Sequence, residues 1–406
     1  MRITTALLCT LPLLGCDLLE TDDADAGASG EGGATGGGGG SGGLSPGPAG
    51  EWVITPTHPC PGRVTHALHC EDDGTCWVGC GTGAEGRGLF TTTDQGDTWS
   101  AVESDPAGFF EGSRVTDVTR SADGLLYVAG EHDNDLRVVS LNDAGEIGEV
   151  FRRGATTDFS FTPGSFRRNA DGRAIAESLT GTDLVYRDGD GEDPDPNSSW
   201  QSGRGFWSDT VPNGVQILDL QLHDDAFYAV GSTIAQPPMV FLPSWDDTFG
   251  FDIVQLANEG PGAFTGELWG VAADDAGVVA GGVNQSRDVG VIFTLSFGEG
   301  LEPTDPASWQ MTDLSEAFAD SPAWTDASTW VEGVCKGPGV IYAVGRESRR
   351  NFGFVIQSTD GGATWADVSV YGDDASRTAM PPLDRCVVVD GTVYLAGNDG
   401  FFARSK

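Results

Sequence analysis

The chain has 406 residues, of which 61 are acidic and 22 basic, so its formal net charge is −39. A chain this acidic repels phosphate backbones, which excludes general electrostatic binding of nucleic acid. Its 11 Trp and 20 Phe residues suffice for a core, while 60 Gly residues disfavour a helical bundle and favour short strands joined by tight turns.

The amino terminus has the pattern of an export signal. Arg2 precedes an apolar run, residues 6–14, that is too short to cross a bilayer. The ending Leu-Leu-Gly-Cys at residues 13–16 resembles the lipobox of bacterial lipoproteins. This resemblance implies that residues 1–15 are a signal peptide and that Cys16 carries a lipid anchor. The protein is then expected in the cell envelope, at the outer membrane or cell surface or on the periplasmic face. An ordinary signal peptide with an incidental cysteine is the alternative.

A spacer follows the lipidated cysteine and completes the segment 16–50. Residues 17–50 contain 13 Gly and 6 acidic residues. Such a composition buries too little apolar surface to offset the entropy of ordering the chain. We therefore expect a disordered tether that holds the third segment, residues 51–406, away from a membrane.

The third segment contains a hairpin pattern that recurs at intervals of about 50 residues, the length of a four-stranded propeller blade. Alternating apolar residues flank a turn that is often Asp-Gly, which is typical of antiparallel hairpins. The pattern predicts an all-β, seven-bladed β-propeller of four-stranded blades. Copies two to five diverge, so six or eight blades also fit. The copies begin at Val64, Val115, Ser165, Leu218, Leu268, Trp330 and Pro382.

The two ends of the third segment complement each other. The last copy stops after a third strand at residues 401–406, and residues 51–56 have the pattern of the missing fourth strand. We therefore expect the amino-terminal strand to complete the last blade and remove its open edge.

Two eight-residue motifs, at residues 92–99 and 358–365, resemble the Asp box (Ser/Thr-x-Asp-x-Gly-x-Thr-Trp) of bacterial-neuraminidase-repeat propellers, the sialidase-like superfamily. The carboxylate accepts backbone N–H bonds across the turn, Gly supplies a positive φ and Trp packs between sheets. A structural role is expected for Asp94, Gly96, Trp99, Asp360, Gly362 and Trp365.

Six cysteines follow the predicted lipidation site, and an even number in an exported domain indicates disulfides. Cys70, Cys335 and Cys386 fall on the first strands of copies that would be ring neighbours, which favours links at the closure of the ring. A zinc site that includes Cys76-x3-Cys80 is the alternative. The six are Cys60, Cys70, Cys76, Cys80, Cys335 and Cys386.

Scarce basic residues occur near the ends of the first strands, which line the channel of a propeller. A cationic ring there would bind anions or an acidic peptide. Photosystem-assembly propellers, which the chain resembles in blade type, have an arginine patch of this kind. The alternative is that each cation pairs with an acid of its own hairpin, such as Asp72, Asp123, Asp171 or Asp224. The candidate ligand-binding residues are His69, Arg120, Arg168, His223, Lys336 and Arg385.

The sialidase resemblance also raises a catalytic hypothesis. Sialidases of this fold use three arginines, a Tyr–Glu nucleophile pair and an acid/base Asp. Arg63 occupies the place of their first arginine, but the proline of that motif is absent, and Arg114 repeats the pattern in copy two. The sequence around Tyr186 and Tyr371 is not typical of a catalytic nucleophile. The other tyrosines all fall on the second strand of their copies, which indicates a packing role. These are Tyr127, Tyr228, Tyr342 and Tyr394.

No cofactor or metal is predicted. The acidic stretch 187–195 resembles a calcium loop in composition, but Asp193 and Ser199 stand where an EF-hand needs Gly and Glu, so a solvated loop is expected. The sequence predicts a non-catalytic binding or scaffold module for an envelope protein or glycan. It would act as a monomer that touches the membrane only through its lipid. A sialidase-like glycoside hydrolase is the alternative.

Overall fold

The structure is a computed structural model. It describes residues 52–57, 59–60, 64–81, 88–102, 110, 113–132, 135–153, 163–178, 185–187, 201–202, 216–232, 237–244, 251–256, 265–298, 301–319, 324, 328–349, 351–371 and 378–406. The predicted signal peptide, Cys16, the tether, Arg63 and the acidic loop after Arg187 lie outside these residues.

The described strands form seven antiparallel sheets of four strands each. The first strand, β1 (Trp52–Ile54), belongs to the last sheet. Sheet 1 contains β2 (Thr65–Cys70), β3 (Cys76–Cys80), β4 (Gly88–Thr92) and β5 (Ser100–Ala101). Sheet 2 contains β6 (Arg114–Arg120), β7 (Leu126–His132), β8 (Asp135–Leu141) and β9 (Ile147–Arg153). Sheet 3 contains β10 (Pro163–Arg168), β11 (Ala174–Ser178), β12 (Val185–Arg187) and β13 (Gln201–Ser202).

Sheet 4 contains β14 (Gln216–His223), β15 (Ala226–Ser232), β16 (Met239–Pro243) and β17 (Phe251–Gln255). Sheet 5 contains β18 (Gly266–Asp274), β19 (Gly277–Asn284), β20 (Val289–Ser296) and β21 (Gln310–Asp313). Sheet 6 contains β22 (Thr329–Gly337), β23 (Val340–Glu347), β24 (Phe352–Ser358) and β25 (Ala366–Asp367). Sheet 7 contains β26 (Leu383–Val389), β27 (Thr392–Gly397), β28 (Phe402–Ser405) and β1. The described helices are α1 (Leu314–Ala317) and two short 3-10 helices, Pro306–Ser308 and Asn398–Gly400.

The sheets follow one another in chain order around a centre. The first strand of each sheet contacts the first strand of the next, from β2 through β6, β10, β14, β18 and β22 to β26, and β26 contacts β2 again. Apolar clusters fill the spaces between neighbouring sheets, as where Val230 and Leu242 of sheet 4 pack with Leu268 and Val271 of sheet 5. This arrangement is an all-β propeller with four-stranded blades, as the sequence predicts.

The amino-terminal strand completes sheet 7. β1 pairs antiparallel with β28, with Trp52 opposite Ser405 and Ile54 opposite Ala403. The Trp52 indole Nε1 also donates to the Val368 carbonyl oxygen, 2.9 Å away, in the segment after sheet 6. The pairing covers the outer edge of β28, which would otherwise expose unpaired backbone groups.

All seven first strands contain an extra residue that shifts their register against the second strand, and in β10 the shift lies between Pro163 and Phe166. In the other six strands the residues in this bulge position are His66, Thr116, Leu218, Trp269, Glu332 and Asp384. A bulge turns the following side chains and increases the local twist. The bulge therefore determines which side chains of the first strand point toward the neighbouring sheet.

The residue immediately after the bulge meets the first strand of the next sheet. Asp117 Oδ2 accepts from the Phe166 backbone N–H at 2.8 Å, and Asp219 Oδ2 accepts from the Val271 N–H at 2.9 Å. Glycine occupies this position in sheets 5 and 6, where a Cβ on Gly270 would lie 2.9 Å from the Val334 nitrogen. In these four sheets the position after the bulge therefore either bridges adjacent first strands through a carboxylate or leaves no room for a side chain. In sheets 1 and 7 it is occupied by Ala67 and Arg385.

Both Asp-box segments form closed turns between the third and fourth strands of sheets 1 and 6. The Asp94 carboxylate accepts from Thr92 Oγ1 (2.6 Å), the Thr98 backbone N–H (2.8 Å) and Thr98 Oγ1 (2.6 Å). These bonds, led by the one from Thr92, lower the pKa of Asp94 to about 2. Asp360 makes the same set of bonds with Ser358 and Thr364.

Glycine and tryptophan of the first Asp box fix its turn against sheet 7. Gly96 has a φ of +93°, and a Cβ there would lie 2.5 Å from the Phe402 ring. The Trp99 ring meets Phe402 edge-on, with centroids 4.9 Å apart. In the second box, Gly362 has a φ of +96° and Trp365 packs against the cluster between sheets 5 and 6.

Disulfides join Cys60 to Cys80, Cys70 to Cys76 and Cys335 to Cys386. The last connects the first strands of sheets 6 and 7, as expected for a link near the closure. The expectation that Cys70 joins this link is wrong, because Cys70 faces Cys76 across the first hairpin of its own sheet. Since Cys76 and Cys80 are both oxidised, neither offers the thiolate that the alternative zinc site requires.

The closure of sheet 7 against sheet 1 should depend on Phe402, which is fully buried beside Trp99 and Tyr394. We expect Phe402→Ala to lower the free energy of unfolding by ~3–5 kcal/mol through lost burial and the cavity left behind. Urea denaturation of the oxidised protein measures this loss. Ile54→Ala, at a neighbouring position that is 42% exposed, is the control and should cost less than about 1 kcal/mol. Equal losses in the two variants would contradict the prediction.

Candidate ligand-binding channel

A cavity of about 330 Å³ lies where the first strands meet, and we call it the central cavity. All seven first strands contribute to its wall, from Leu68 in β2 to Cys386 in β26. Its charged or titratable lining residues are His69, Asp117, Arg120, Arg167, Arg168, Asp219 and Arg385.

Four of the six predicted ligand-binding residues line the central cavity: His69, Arg120, Arg168 and Arg385. His223 instead lines a second cavity between the turns of sheets 3, 4 and 5. The Lys336 ammonium bonds Asp274 and the Gly277 carbonyl oxygen of sheet 5. Lys336 is not among the residues that line the central cavity.

Three of these cations hold neighbouring sheets together. Arg120 of sheet 2 pairs with Glu71, in the first turn of sheet 1. The Arg168 guanidinium of sheet 3 lies 3.2 Å from Asp123, in the first turn of sheet 2. Lys336 of sheet 6 pairs with Asp274 of sheet 5. The acid in these pairs belongs to the preceding sheet, although Arg120 also lies 3.4 Å from Asp143, in a later turn of its own sheet. The structure therefore does not show these three cations paired with an acid of their own first hairpin.

Aromatic rings on the second strand of the preceding sheet extend two of these contacts. The Arg120 guanidinium lies 5.4 Å from the Trp77 ring centroid, and Arg168 lies 5.8 Å from that of Tyr127. The Tyr127 hydroxyl donates to Asp123 at 2.7 Å and accepts from Arg168. A cation over an aromatic face and beside a carboxylate is attracted by both.

His69 does not contribute a positive charge to the central cavity. Burial, followed by the charges of Arg120 and Arg167, lowers the pKa of His69 to about 4. The imidazole is therefore neutral near pH 7. Its Nε2 is a buried atom without a hydrogen-bond partner among the described residues.

Arg167 and the two carboxylates after the bulge were not among the predicted site residues. Arg167 pairs with Asp117, and both side chains are largely buried. Burial raises the pKa of Asp219, and the charges of Arg385 and Arg167 oppose this rise. The signal that could have found the carboxylates is their shared register, since each directly follows the bulge of its strand.

Arg385 differs from the other arginines of the central cavity. Its Nη1 approaches only carbonyl oxygens, those of Asp384 at 3.1 Å and Glu332 at 3.4 Å. No carboxylate among the described residues lies within ion-pair distance of its guanidinium, whereas Arg120, Arg167 and Arg168 each have one. Arg385 is therefore the cavity arginine without a direct ion pair among the described residues, although its charge acts on the buried carboxyl groups of Asp219 and Asp384.

Titratable groups also cluster in the bulge positions of three consecutive sheets: Glu332 of sheet 6, Asp384 of sheet 7 and His66 of sheet 1. Burial, followed by the Glu332 carboxylate, raises the pKa of Asp384 to about 8 against the opposing charges of Arg385 and Arg346. Asp384 Oδ2 is a buried atom without a hydrogen-bond partner among the described residues. Asp384 is therefore largely protonated near pH 7.

The other members of this cluster are held by different groups. The Glu332 carboxylate lies 3.0 Å from Arg346 Nε, and the Arg346 guanidinium stands over the Trp330 ring, 4.6 Å from its centroid. Burial, then Arg114 and Arg385, lowers the pKa of His66 to about 3, so this ring is neutral at physiological pH. Burial raises the pKa of Glu332 as well, opposed by the charge of Arg346, so the cluster contains two carboxyl groups with raised pKa values and one neutral imidazole.

The described tyrosines do not form the Tyr–Glu pair that the sialidase hypothesis needs. Tyr127 bonds Asp123, Tyr371 bonds Asp367, and the Tyr342 hydroxyl accepts from Gln357. The described residues also bring no three His, Cys, Asp or Glu side chains together as metal ligands. Within the same residues, no helix has the length and apolar character needed to cross a bilayer.

Comparison with solved structures identifies other propeller chains of nearly the same size. YCF48 from Cyanidioschyzon merolae is 13% identical with a TM-score of 0.57, and the match covers 87% of this chain and 98% of that one. A catalytically inactive virginiamycin B lyase from Staphylococcus aureus, crystallised with quinupristin, is 11% identical with a TM-score of 0.56 and coverages of 87% and 99%.

A chain of the Mitotic Checkpoint Complex is 12% identical with a TM-score of 0.53, and the match covers 88% of this chain and 90% of that one. No protein-family model and no curated protein matches the sequence. At these identities the similarity establishes the propeller fold and leaves activity and ligands open.

Asp384 should make stability depend on pH. Because its pKa is higher in the folded protein than in the unfolded chain, its contribution to stability falls as the pH rises from about 4 to about 8. We expect Asp384→Asn to lose this dependence and to exceed the wild type in unfolding free energy at about pH 8, by ~1 kcal/mol or more. Urea unfolding at about pH 5 and pH 8 provides the measurement. Asp390→Asn, at an exposed turn, is the control, and parallel pH profiles for all three proteins would refute this role.

Proposed function

We propose that the seven sheets are the blades of one closed ring, and that the protein is a lipid-anchored, exported propeller that acts as a non-catalytic binding or scaffold module. The unbroken circuit of contacts between first strands supports a single ring. The ligand is a protein or glycan of the cell envelope that presents an anionic group, most simply a carboxylate, to the central cavity.

One observation carries this proposal. Arg385 lines the central cavity without a carboxylate partner among the described residues, while the other three cavity arginines are paired. A partly buried guanidinium that has no direct ion pair can bind a carboxylate in a two-pronged geometry, and it gains more there than at an exposed surface. The net negative charge of the chain elsewhere disfavours anions outside this cavity.

The known structures fit a binding role without specifying the ligand. One similar chain is part of the Mitotic Checkpoint Complex, and another was crystallised with quinupristin. Both are propellers that associate with another molecule, although at 12% and 11% identity their ligands do not transfer to this chain.

A sialidase-like glycoside hydrolase is the second candidate, because Arg120, Arg167, Arg168 and Arg385 share the central cavity. In the sialidases that the sequence resembles, an arginine cluster binds the carboxylate of a sialic acid. Carboxylates of the chain neutralise three of these arginines, however, which leaves only Arg385 for a substrate. A fluorogenic sialoside tests this candidate, and turnover that disappears in Arg385→Gln would favour it over the binding module.

The binding role predicts that Arg385→Gln reduces recovery of a partner from envelope extract by at least ~10-fold, or about 1.4 kcal/mol. Binding to an array of acidic and neutral glycans is measured in parallel and separates a glycan ligand from a protein ligand. Arg349→Gln removes an equally charged side chain that is 66% exposed, and it should bind as the wild type does. Undiminished binding by the Arg385 variant would overturn the role of the central cavity.

Lipid anchoring is tested separately, because it depends on the Leu-Leu-Gly-Cys ending and not on the fold. We expect Cys16→Ser, expressed in a bacterium that processes lipoproteins, to move the protein from the membrane fraction to the soluble fraction. Cys9→Ser, in the apolar run of the predicted signal, is the control and should remain with the membrane. Metabolic labelling with a fatty-acid analogue reports the modification directly, and equal labelling of both variants would contradict anchoring through Cys16.

A further inference from the structure

Two opposite charges stand at the same level of the central cavity. Asp219 of sheet 4 and Arg385 of sheet 7 each directly follow the bulge of their first strand, and both line the cavity. Because the first strands contact one another in an unbroken circuit, equivalent register positions lie at the same level around the cavity. An acid and a cation therefore share one level of its wall.

Small residues leave space between these two charges. Sheets 5 and 6 stand between sheets 4 and 7 in the circuit, and both have glycine directly after the bulge, Gly270 and Gly333. On the other side of the circuit, Ala67 holds this position in sheet 1, and in sheet 2 it is held by Asp117, which pairs with Arg167. No side chain at this position of sheets 5 and 6 stands between the two charges.

Neither charge has an ion pair among the described residues. The Asp219 carboxylate accepts from the Val271 backbone N–H at 2.9 Å and from the Ser165 hydroxyl at 3.4 Å. Arg385 donates to backbone carbonyl oxygens. The Arg385 charge lowers the pKa of Asp219, so the two groups attract each other, but across the cavity and without contact. Each therefore keeps the capacity to bind an opposite charge.

The charges of the chain do not fully compensate Asp219. Burial raises the pKa of Asp219, although the charges of Arg385 and Arg167 oppose this rise. A largely buried carboxylate without a close cation costs free energy. An ammonium group in the cavity would lower this cost, because a nearby positive charge stabilises the ionised form.

The net charge of the chain favours a ligand that is neutral overall. At a formal charge of −39 the chain repels a simple anion on its approach. A zwitterion is not repelled in this way, and its two ends match the two groups of the cavity wall. The cavity volume of about 330 Å³ is near the lower end of the range for small-molecule sites, roughly 300–1,000 Å³, and suits a small group.

The apolar part of the wall strengthens both attractions. Leu222, Val334 and Val387 line the same cavity. Such side chains lower the local dielectric constant, so a charge–charge contact gains more free energy there than in water.

We propose that the central cavity binds a zwitterionic aminocarboxylate group, with the carboxylate bound by Arg385 and the ammonium bound by Asp219. This inference rests on the anion-binding role proposed for Arg385 and narrows the ligand to a carboxylate that carries an ammonium group. The group belongs to the envelope ligand or to a free amino acid, since both sources offer the same chemistry.

The test is a calorimetric titration of the oxidised, full-length protein at about pH 7 with aminocarboxylates of increasing length: glycine, β-alanine, 4-aminobutyrate and 6-aminohexanoate. Acetate, propionate, butyrate and hexanoate are the matched anions, and n-butylammonium is the cation alone. We expect at least one aminocarboxylate to bind with a Kd on the order of 1 mM or tighter, and at least ~10-fold more tightly than its matched carboxylate. The length that binds best measures the separation of the two charges.

Variants assign the two ends of the ligand. Asp219→Asn keeps the shape of the side chain and an oxygen that accepts from the Val271 N–H, so it should lose the preference for the aminocarboxylate while still binding the matched carboxylate. Arg385→Gln should weaken the binding of both by at least ~10-fold. Asp390→Asn, at an exposed turn of sheet 7, is the matched control and should keep the wild-type preference.

The outcomes separate this inference from the proposed function. Equal binding of aminocarboxylates and carboxylates, both lost in Arg385→Gln, would overturn the zwitterionic site and leave the anion-binding role standing. Absence of binding by every probe that contains a carboxylate would overturn both. A preference unchanged in Asp219→Asn would also refute the site. The wild-type comparison of matched probes needs no variant, so it decides even if Asp219→Asn does not fold.

Competition identifies the source of the group. The aminocarboxylate that binds best is added to the pull-down from envelope extract. Displacement of the recovered partner would show that the partner carries the zwitterionic group, and binding without displacement would identify a free amino acid as the ligand. Both results support the zwitterionic site.

Discussion

The packing of each first strand against the next is the constraint on which the remaining structure depends. A β-bulge rotates the following side chains toward the neighbouring sheet, so one register position determines how closely two sheets approach. Asp117 and Asp219 bridge that position by accepting a backbone N–H, whereas Gly270 and Gly333 let the strands touch. These contacts bound part of the central cavity, and Arg385 stands in the same position of sheet 7 and also lines it.

The same packing explains how a strongly acidic chain uses its few cations. Arg120, Arg168 and Lys336 each pair with an acid of the preceding sheet, and an isolated acid at such a partly buried place would cost free energy. These cations are therefore mainly interface groups, and Arg120 and Arg168 also line the central cavity. Arg385 stands directly after the bulge of its strand and has no such ion pair among the described residues.

The fold was accessible from the sequence because hairpin alternation and the Asp-box turns are local patterns. Asp94, for example, bonds residues only two and four positions away. The ion pairs were not accessible in this way, since Lys336 and Asp274 are 62 residues apart and belong to different sheets. Pairing within the hairpin was the alternative to a cationic ring, and Arg120, Arg168 and Lys336 pair instead with acids of the preceding sheet. Asp384 was missed for a related reason: its burial beside Glu332 exists only after sheets 6 and 7 pack together.

The pairing of β1 with β28 has a mechanical consequence. A pulling force applied to the chain before Trp52 would load the short strand that completes sheet 7, and its few ladder bonds would yield first. The Cys60–Cys80 disulfide lies just beyond this strand and joins the chain covalently to sheet 1. Peeling would therefore stop at Cys60, with the other three strands of sheet 7 still in place. Under tension the short strand β1 would therefore detach first, and the Cys60–Cys80 disulfide would keep the remaining strands folded.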